Sequence, residues 1–204
     1  MSGCCEDTCA LEQLRQRQRG TLQVVLVINA VMFLVIAAAG LYGKSTALLA
    51  DSLDNLGDTL TYGLSLYAVS RGATAKARVA LFKGALIFVA AAIVAGQVIY
   101  KLFVPSLPIF EVMGAFSILG LAANSICLAL LWRHRQEDVN MSSVWECSRN
   151  DIASNVSVLV AAGAVWLFAS GWPDIVVAVG LLLLLLRSSF RVISSARFEL
   201  ARAS

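Results

Sequence analysis

Hydrophobic positions dominate most of this chain and are interrupted by short polar breaks. Six apolar segments are each long enough to cross roughly 30 Å of hydrocarbon at about 1.5 Å per residue of helix. The breaks hold glycine, proline, serine or charged residues, which are typical of loops. The pattern therefore predicts six transmembrane helices, at approximately 22–42, 47–69, 79–103, 110–132, 143–168 and 175–193.

Composition and charge place these helices in a membrane and orient them. The chain is 59% hydrophobic and 14% charged, whereas soluble domains carry roughly 25% charged residues. We therefore predict an all-α integral membrane bundle. Basic residues concentrate in the breaks at 70–78 and 133–140 and near both ends of the chain, while the opposite side has little beyond Lys44. The positive-inside rule then puts both termini in the cytoplasm, so the net charge of +3 reflects topology and implies no nucleic-acid partner.

The predicted organisation has three parts. We expect a flexible cytoplasmic N-terminal tail at 1–19, a six-helix transmembrane domain at 20–196 and a short cytoplasmic C-terminal tail at 197–204. Six spans that start inside give spans one to three and spans four to six opposite orientations. This arrangement permits a 3+3 inverted repeat in which spans two and five occupy equivalent positions.

Three aspartates interrupt the second apolar segment. Asp51 precedes Asp54 by three residues and Asp58 follows Asp54 by four, so a helix stacks the three carboxylates along one face. Each charge at the centre of a bilayer costs at least about 2.5 to 3.5 kcal/mol on insertion scales. Three acids at this depth therefore require a cation, protons or water.

The fifth segment carries a second polar pair, Cys147 and Asp151, again four residues apart. At about 1.5 Å per residue, Asp54 and Asp58 lie roughly 10 to 17 Å below one membrane edge, and Asp151 lies roughly 12 Å from the other. Both pairs can therefore meet near the midplane and supply four ligands to a divalent ion. Carboxylates suit Mn or Fe, whereas thiolate favours Zn or Cd. Because the ligands bind metal only when deprotonated, metal and protons compete, which is the basis of exchange transport.

The remaining cysteines allow less specific interpretations. Cys4, Cys5 and Cys9 cluster at the N-terminus and form an accessory site for a soft metal ion in one interpretation. In the other they are reduced thiols of the tail, because their spacing is not that of a closed structural zinc site. Cys127 is interpreted as a small buried hydrophobic residue.

The polar residues of spans two and five resemble the cation diffusion facilitator family of metal/proton antiporters. In that family, His or Asp residues on the second and fifth helices bind the transported ion. A Trp-Pro-Asp sequence at the start of span six matches more loosely. The matching residues are the run Ser45–Ser52 with Asp54 and Asp58, and Cys147 with Asp151, Ser154 and Val158.

The resemblance implies a transporter rather than an enzyme. The ligands carried over by position are Asp54, Asp58, Cys147 and Asp151, with supporting roles for the residues Asp51, Asn150 and Ser154. The expected activity is export of a divalent transition metal from the cytoplasm in exchange for protons, by alternating access around a midplane site. Zn is expected first, then Cd, Fe, Co or Mn, with no prosthetic group.

The sequence departs from the family pattern in two respects. Cys147 stands where the family generally has His or Asp, which leaves the metal preference open. The family's cytoplasmic C-terminal domain has no counterpart in this sequence, so the chain resembles a short branch, and a homodimer is expected to form through the transmembrane helices. The short loops and this branch favour the inner membrane of a bacterium.

Two other functional classes were weighed from the same residues. Leu56-Gly57-Asp58 partly matches the Gly-x-Gly-Asp motif of an intramembrane aspartyl protease, but position 55 is Asn and no Tyr-Asp partner occurs on another span. A noncatalytic membrane scaffold is the third interpretation, with the polar pairs only specifying helix packing. It does not explain why the acids outnumber their cations at one depth.

Overall fold

The computed structural model describes the backbone of residues 3–68, 73–132 and 139–203, and most side chains within 19–64, 84–132 and 150–187. Across those residues the chain forms only helices, which confirms the predicted all-α membrane bundle. The six helices, in chain order, are α1 (Gly3–Tyr42), α2 (Thr46–Ala68), α3 (Ala73–Phe103), α4 (Phe110–Trp132), α5 (Val139–Phe168) and α6 (Trp172–Ala203).

Five of these helices contain stretches that are long and apolar enough to cross a membrane, while α2 stands apart because of its three acids. With 23 residues, α2 is about 34 Å long and so matches the bilayer in length. It contacts all five other helices, and every residue from 45 to 53 is buried. The helix with three acids within its apolar stretch is therefore the interior helix, which keeps its carboxylates away from lipid.

Contacts between helices follow much of the pattern expected for an inverted repeat. The closest pairs are α1 with α2, α4 with α5, and α3 with α6. A 3+3 repeat makes α1, α2 and α3 equivalent to α4, α5 and α6, respectively. The α1–α2 pair is then equivalent to the α4–α5 pair, and the α3–α6 pair is equivalent to itself. The symmetry is partial, since α2 also contacts α6, whereas α3 and α5 share no contact among the described residues.

Helices α1 and α2 are joined by a tight turn and pack closely at their connected ends. A Cβ added to Gly40 of α1 would lie 3.0 Å from the backbone nitrogen of Leu49 in α2, so only glycine permits this approach without displacement. Lys44 in the turn has a left-handed backbone with a φ of 51°, a conformation that often terminates helices.

Both ends of the chain differ from the predicted tails in backbone conformation. The first helix begins at Gly3 and the last continues to Ala203, so helix covers most of 1–19 and of 197–204. Hydropathy alone did not reveal these extensions, because they are polar, yet Leu, Arg, Gln and Glu are strong helix formers. The predicted cytoplasmic location and flexibility of these segments stay predictions.

Candidate metal centre

Two side chains of α2 face two side chains of α5 in the interior of the bundle. The carboxyl groups of Asp58 and Asp151 are hydrogen-bonded to each other, and each residue is only 7% exposed. Beside them, the hydroxyl of Ser154 donates a hydrogen bond to the carboxylate of Asp54. The structure therefore brings Asp54, Asp58 and Asp151 to one interface between α2 and α5.

The contact between Asp58 and Asp151 needs a proton or a cation. An ionised carboxylate only accepts hydrogen bonds, so two carboxyl groups bond to each other only while one of them carries a proton. Two neighbouring negative charges in a medium of low dielectric constant repel strongly. A divalent cation would neutralise both groups and displace that proton.

Tyr62 completes the surroundings of Asp58 and was not identified from the sequence. Its side chain is fully buried in α2, and its hydroxyl donates a hydrogen bond to Oδ2 of Asp58. The available signal was spacing, because Tyr62 follows Asp58 by four residues and so lies on the same face of the helix. This hydroxyl holds one oxygen of Asp58 and thereby orients the carboxyl group.

Asp51 lies deeper among apolar side chains than the other two acids of α2. It is fully buried, and neither of its carboxylate oxygens has a hydrogen-bond partner among the described residues. It interacts electrostatically with Asp54 and with Asp151. The predicted supporting role of Asp51 stays a prediction, but its position puts a further acid within electrostatic range of the interface.

The other predicted site residues do not extend this interface. Asn150 is exposed, unlike its neighbour Asp151, so it does not share the buried surface. Cys147 lies in the helical backbone of α5, but its side chain lies outside the described residues. The side chains of the N-terminal cysteines likewise lie outside them, although their backbone belongs to α1; these residues are Cys4, Cys5 and Cys9.

The described side chains form pairs rather than a closed metal site. No three His, Cys, Asp or Glu residues among them lie close enough together to hold one ion. One oxygen of the Asp151 carboxylate, Oδ2, is nevertheless buried with no hydrogen-bond partner in the described part of the chain. A buried carboxylate oxygen without a donor is costly, so this oxygen suits a cation.

A close approach of α4 to α5 sets the position of the helix turn that carries Asp151. The side-chain amide of Asn155 donates to the backbone carbonyl of Asp151 at 2.8 Å. Its Oδ1 atom lies only 2.0 Å from where a Cβ on Gly120 of α4 would stand. Glycine at position 120 therefore makes room for Asn155 beneath Asp151.

At the opposite end of α2, Asp174 of α6 caps the helix. This fully buried carboxylate accepts hydrogen bonds from the backbone nitrogens of Thr46 and Ala47, at 2.9 and 3.0 Å. The hydroxyls of Ser45 and Thr46 donate to it as well, at 2.5 and 2.7 Å. An acid at a helix N-terminus satisfies free backbone donors and complements the helix dipole, so α6 supplies the cap that α2 needs.

Lys101 joins α3 to the same cap. Its ammonium group lies 3.1 Å from Oδ2 of Asp174 and also donates to the backbone carbonyl of Lys44. Both charged side chains are at least nine-tenths buried. The ends of α2, α3 and α6 are therefore connected by one ion pair and its hydrogen bonds, and we call this group, Ser45, Thr46, Lys101 and Asp174, the end anchor.

Comparison with known proteins adds one positive finding. The family model described as Cation efflux transmembrane domain matches residues 22–201. The matched range contains the acid interface of α2 and α5 and the end anchor. No curated protein matches the chain.

Proposed function

Since the chain belongs to the cation efflux family, we propose that it exports a divalent transition metal ion from the cytoplasm in exchange for protons. The family consists of membrane transporters of metal cations, and this protein is accordingly an integral membrane transporter. The family match supports transport of metal cations. The proposal adds the identity of the metal, its exchange for protons and its path through the protein.

The observation that carries the proposal is the carboxyl contact between Asp58 of α2 and Asp151 of α5. Protonated, the pair holds itself together by a hydrogen bond between the two helices. Deprotonated, it attracts a divalent cation instead. One pair of side chains thus accepts either protons or metal, which is the alternation that an antiporter requires.

The proposed ligands are Asp54, Asp58 and Asp151 together with Cys147. Oxygen ligands alone would favour Mn or Fe, and a thiolate shifts the preference towards Zn and Cd, so we propose Zn as the main substrate. Alternating access would expose this midplane site to one side of the membrane and then to the other. We further propose that the chain forms a homodimer through its transmembrane helices. The proposed location is the inner membrane of a bacterium.

Two apposed aspartates that share a proton also suit an aspartyl hydrolase. The contact between Asp58 and Asp151 agrees with that alternative as far as geometry goes. The family match, however, is to a domain that transports cations. Transport is therefore the better supported function, and a noncatalytic scaffold leaves the unpartnered oxygen of Asp151 unexplained.

Metal flux into proteoliposomes tests the proposal. Liposomes containing a fluorescent metal indicator, under an imposed pH gradient, should accumulate Zn²⁺ when the natural chain is present. Replacing Asp58→Asn or Asp151→Asn should lower the rate roughly 100-fold or more, because loss even of outer-shell groups costs about 10- to 100-fold in metal affinity.

The matched control is Glu111→Gln, which removes an exposed acid at the start of α4 and should leave the rate unchanged. Flux that persists in both aspartate variants would refute the assignment of these acids. Zn²⁺ flux that is indifferent to the pH gradient would refute the exchange with protons.

A further inference from the structure

A cavity of about 470 Å³ opens beside the end anchor, between α1 and α3. These two helices both pack against α2 but share no contact with each other in the described part of the chain. The cavity is therefore the gap that α2 leaves between its two neighbours. Its volume falls within the range of roughly 300 to 1,000 Å³ that is usual for sites of small ligands.

The position of the cavity along the helices is that of the membrane boundary. Leu41 of its lining lies next to the end of α1 at Tyr42, and Lys101 lies two residues before the end of α3 at Phe103. The stretches that are apolar enough to cross a membrane end at the same two residues, Tyr42 and Phe103. The cavity therefore lies where hydrocarbon gives way to lipid headgroups, in the outer leaflet on the predicted topology.

The lining of the cavity is amphipathic. It combines aliphatic side chains, those of Leu41, Leu49 and Val104, with hydrogen-bond donors, those of Lys44, Gln97 and Lys101. No acidic residue is among the described residues that line it. Leu41 and Val104 are also 63% and 49% exposed, so the apolar part of the lining continues onto the surface that faces lipid. Such a lining suits a guest with a negative polar head and an apolar tail.

Two lysines supply the positive charge of the cavity. The ammonium group of Lys101 has three N–H donors, and in the described part of the chain it binds two acceptors, the carbonyl of Lys44 and the carboxylate of Asp174. Lys44 is exposed and forms no ion pair with a described residue. Asp174 thus balances one of the two positive charges, and the other is free to bind an anion.

Side chains rather than backbone amides are left to bind that anion. The first backbone nitrogens of α2, those of Thr46 and Ala47, already donate to Asp174. Ammonium groups form strong, charge-assisted hydrogen bonds with phosphate oxygens. Basic pockets between membrane helices are a recognised setting for anionic lipid headgroups.

We propose that this cavity binds an anionic phospholipid such as phosphatidylglycerol. Its phosphate lies between Lys44 and Lys101, and its acyl chains run along Leu41 and Val104. A zwitterionic headgroup carries an additional positive charge that Lys44 repels, so the cavity prefers anionic lipid. The bound lipid joins α1 to α3 and stabilises the end anchor, and this role does not depend on the proposed transport.

Thermal unfolding of the purified protein in neutral detergent, freed of lipid, tests the proposal. Saturating phosphatidylglycerol should raise the unfolding midpoint by roughly 5 °C, because a ligand that binds only the folded state stabilises it. Phosphatidylcholine with the same acyl chains should raise it less. Inorganic phosphate should not raise it, and a free anion that reproduced the shift would overturn the assignment of the cavity to lipid.

Charge reversal at Lys44 tests the phosphate contact. Lys44→Glu should raise the apparent Kd for phosphatidylglycerol about 25-fold, since each lysine near a membrane surface changes the affinity for anionic lipid about 5-fold. Lys44→Arg keeps the charge and should bind within about twofold of the natural Kd. Without lipid, both variants should keep the natural midpoint, because the side chain is exposed. Lys101 is left intact in this test, since its removal would break the end anchor.

The matched control for charge is Arg19→Glu. Arg19 is exposed on α1 and lies roughly 35 Å along the helix from Tyr42, so the affinity for phosphatidylglycerol should stay within about twofold of the natural value. If Arg19→Glu weakens binding as much as Lys44→Glu does, the lipid responds to overall charge and the inference is overturned.

Filling the cavity tests its location. Gln97 is half-buried and lines the cavity, so Gln97→Trp should abolish the advantage of phosphatidylglycerol over phosphatidylcholine. Ile99→Trp adds the same ring at a position of α3 that is 56% exposed and outside the lining, and should keep the advantage. Equal behaviour of the two variants would refute the cavity as the site.

Native mass spectrometry distinguishes lipid from a second copy of the chain. The natural protein should retain one phosphatidylglycerol per chain, and Lys44→Glu should lose it. If no lipid is retained and Lys44→Glu lowers the fraction of dimer instead, a second copy covers the cavity and the inference is wrong. Asp151→Asn should stop metal flux but keep the lipid shift, so the proposed function and the lipid site fail separately.

Discussion

At the scale of single residues, the chemistry is concentrated where α2 meets α5. Asp58 and Asp151 share a hydrogen bond, and the hydroxyls of Tyr62 and Ser154 orient the acids on either side. Asp58 and Asp151 are buried, and burial of a negative charge is costly unless a proton or a cation compensates it.

The acid pair predicts that metal binding releases protons. We expect at least one proton shared by Asp58 and Asp151 to leave when a divalent ion binds. The apparent Kd for the metal should therefore fall about 10-fold for each unit by which the pH rises, for each proton released. Calorimetric titrations in buffers of different ionisation enthalpy count these protons.

The variant Asp151→Asn removes one carboxyl group and should release fewer protons than the natural chain. Equal proton release from both proteins, or a Kd that does not change with pH, would contradict the shared-proton description. Glu111→Gln again serves as the control, because its acid is exposed at the start of α4.

At the scale of helices, close packing between α4 and α5 fixes the position of Asp151. Asn155 binds the backbone of Asp151 and occupies the space above Gly120. Interfaces between membrane helices depend on such small residues, because they let the backbones approach. The helix that carries Asp151 is thus held by a neighbour, α4, that supplies no acid to the interface.

Gly120→Ala should therefore impair transport without removing any polar group. The added methyl would overlap Oδ1 of Asn155, at 2.0 Å, so either Asn155 rotates away from Asp151 or α5 shifts. We expect Zn²⁺ flux to fall about 10-fold or more, since a misplacement of about 1 Å can cost about 100-fold. Gly114→Ala on the same helix meets no atom within 4 Å and should be neutral. Equal rates in both variants would show that this packing does not position the acid.

At the scale of the whole molecule, two features organise the bundle. The acid helix α2 is surrounded by all five other helices, while the pair α3 and α6 packs beside it. The end anchor then ties α2, α3 and α6 together at one end, through Asp174 and Lys101. The anchor holds the N-terminal end of α2 against α3 and α6.

Breaking the end anchor should destabilise the whole bundle. Lys101→Met leaves the buried carboxylate of Asp174 without its cation, and removal of one partner of a buried ion pair costs about 3 to 5 kcal/mol. At about 2 to 4 °C per kcal/mol for a chain of this size, the unfolding midpoint in detergent should fall by roughly 10 °C.

The control for the anchor is Lys44→Met. Lys44 lies in the turn between α1 and α2, and its side chain is exposed. It binds Lys101 through its backbone carbonyl, which the substitution keeps, so the unfolding midpoint should be unchanged. The double variant Lys101→Met with Asp174→Asn should recover part of the loss, because no unpaired charge then remains. A single variant as stable as the natural chain would disprove the stabilising role of the pair.

The sequence by itself determined the spans and the chemistry that they carry. Hydropathy placed α4 at 110–132 and the C-terminal ends of α1 and α3 at Tyr42 and Phe103, where the structure has them, because apolar runs of bilayer length are local features. Spacing put Asp54 and Asp58 on one face of α2 for the same reason. The sequence did not predict that α1 begins at Gly3 or that α6 continues to Ala203. These extensions are polar and lack a helical repeat of apolar residues.

Only the tertiary structure decided which groups meet. Asp174 reaches Ser45 across 129 positions of sequence, and Asn29 reaches Cys127 across 98. No local pattern encodes such contacts, because they depend on how whole helices pack against one another. For that reason the cap on α2 and the ion pair between Lys101 and Asp174 became visible only in the folded chain.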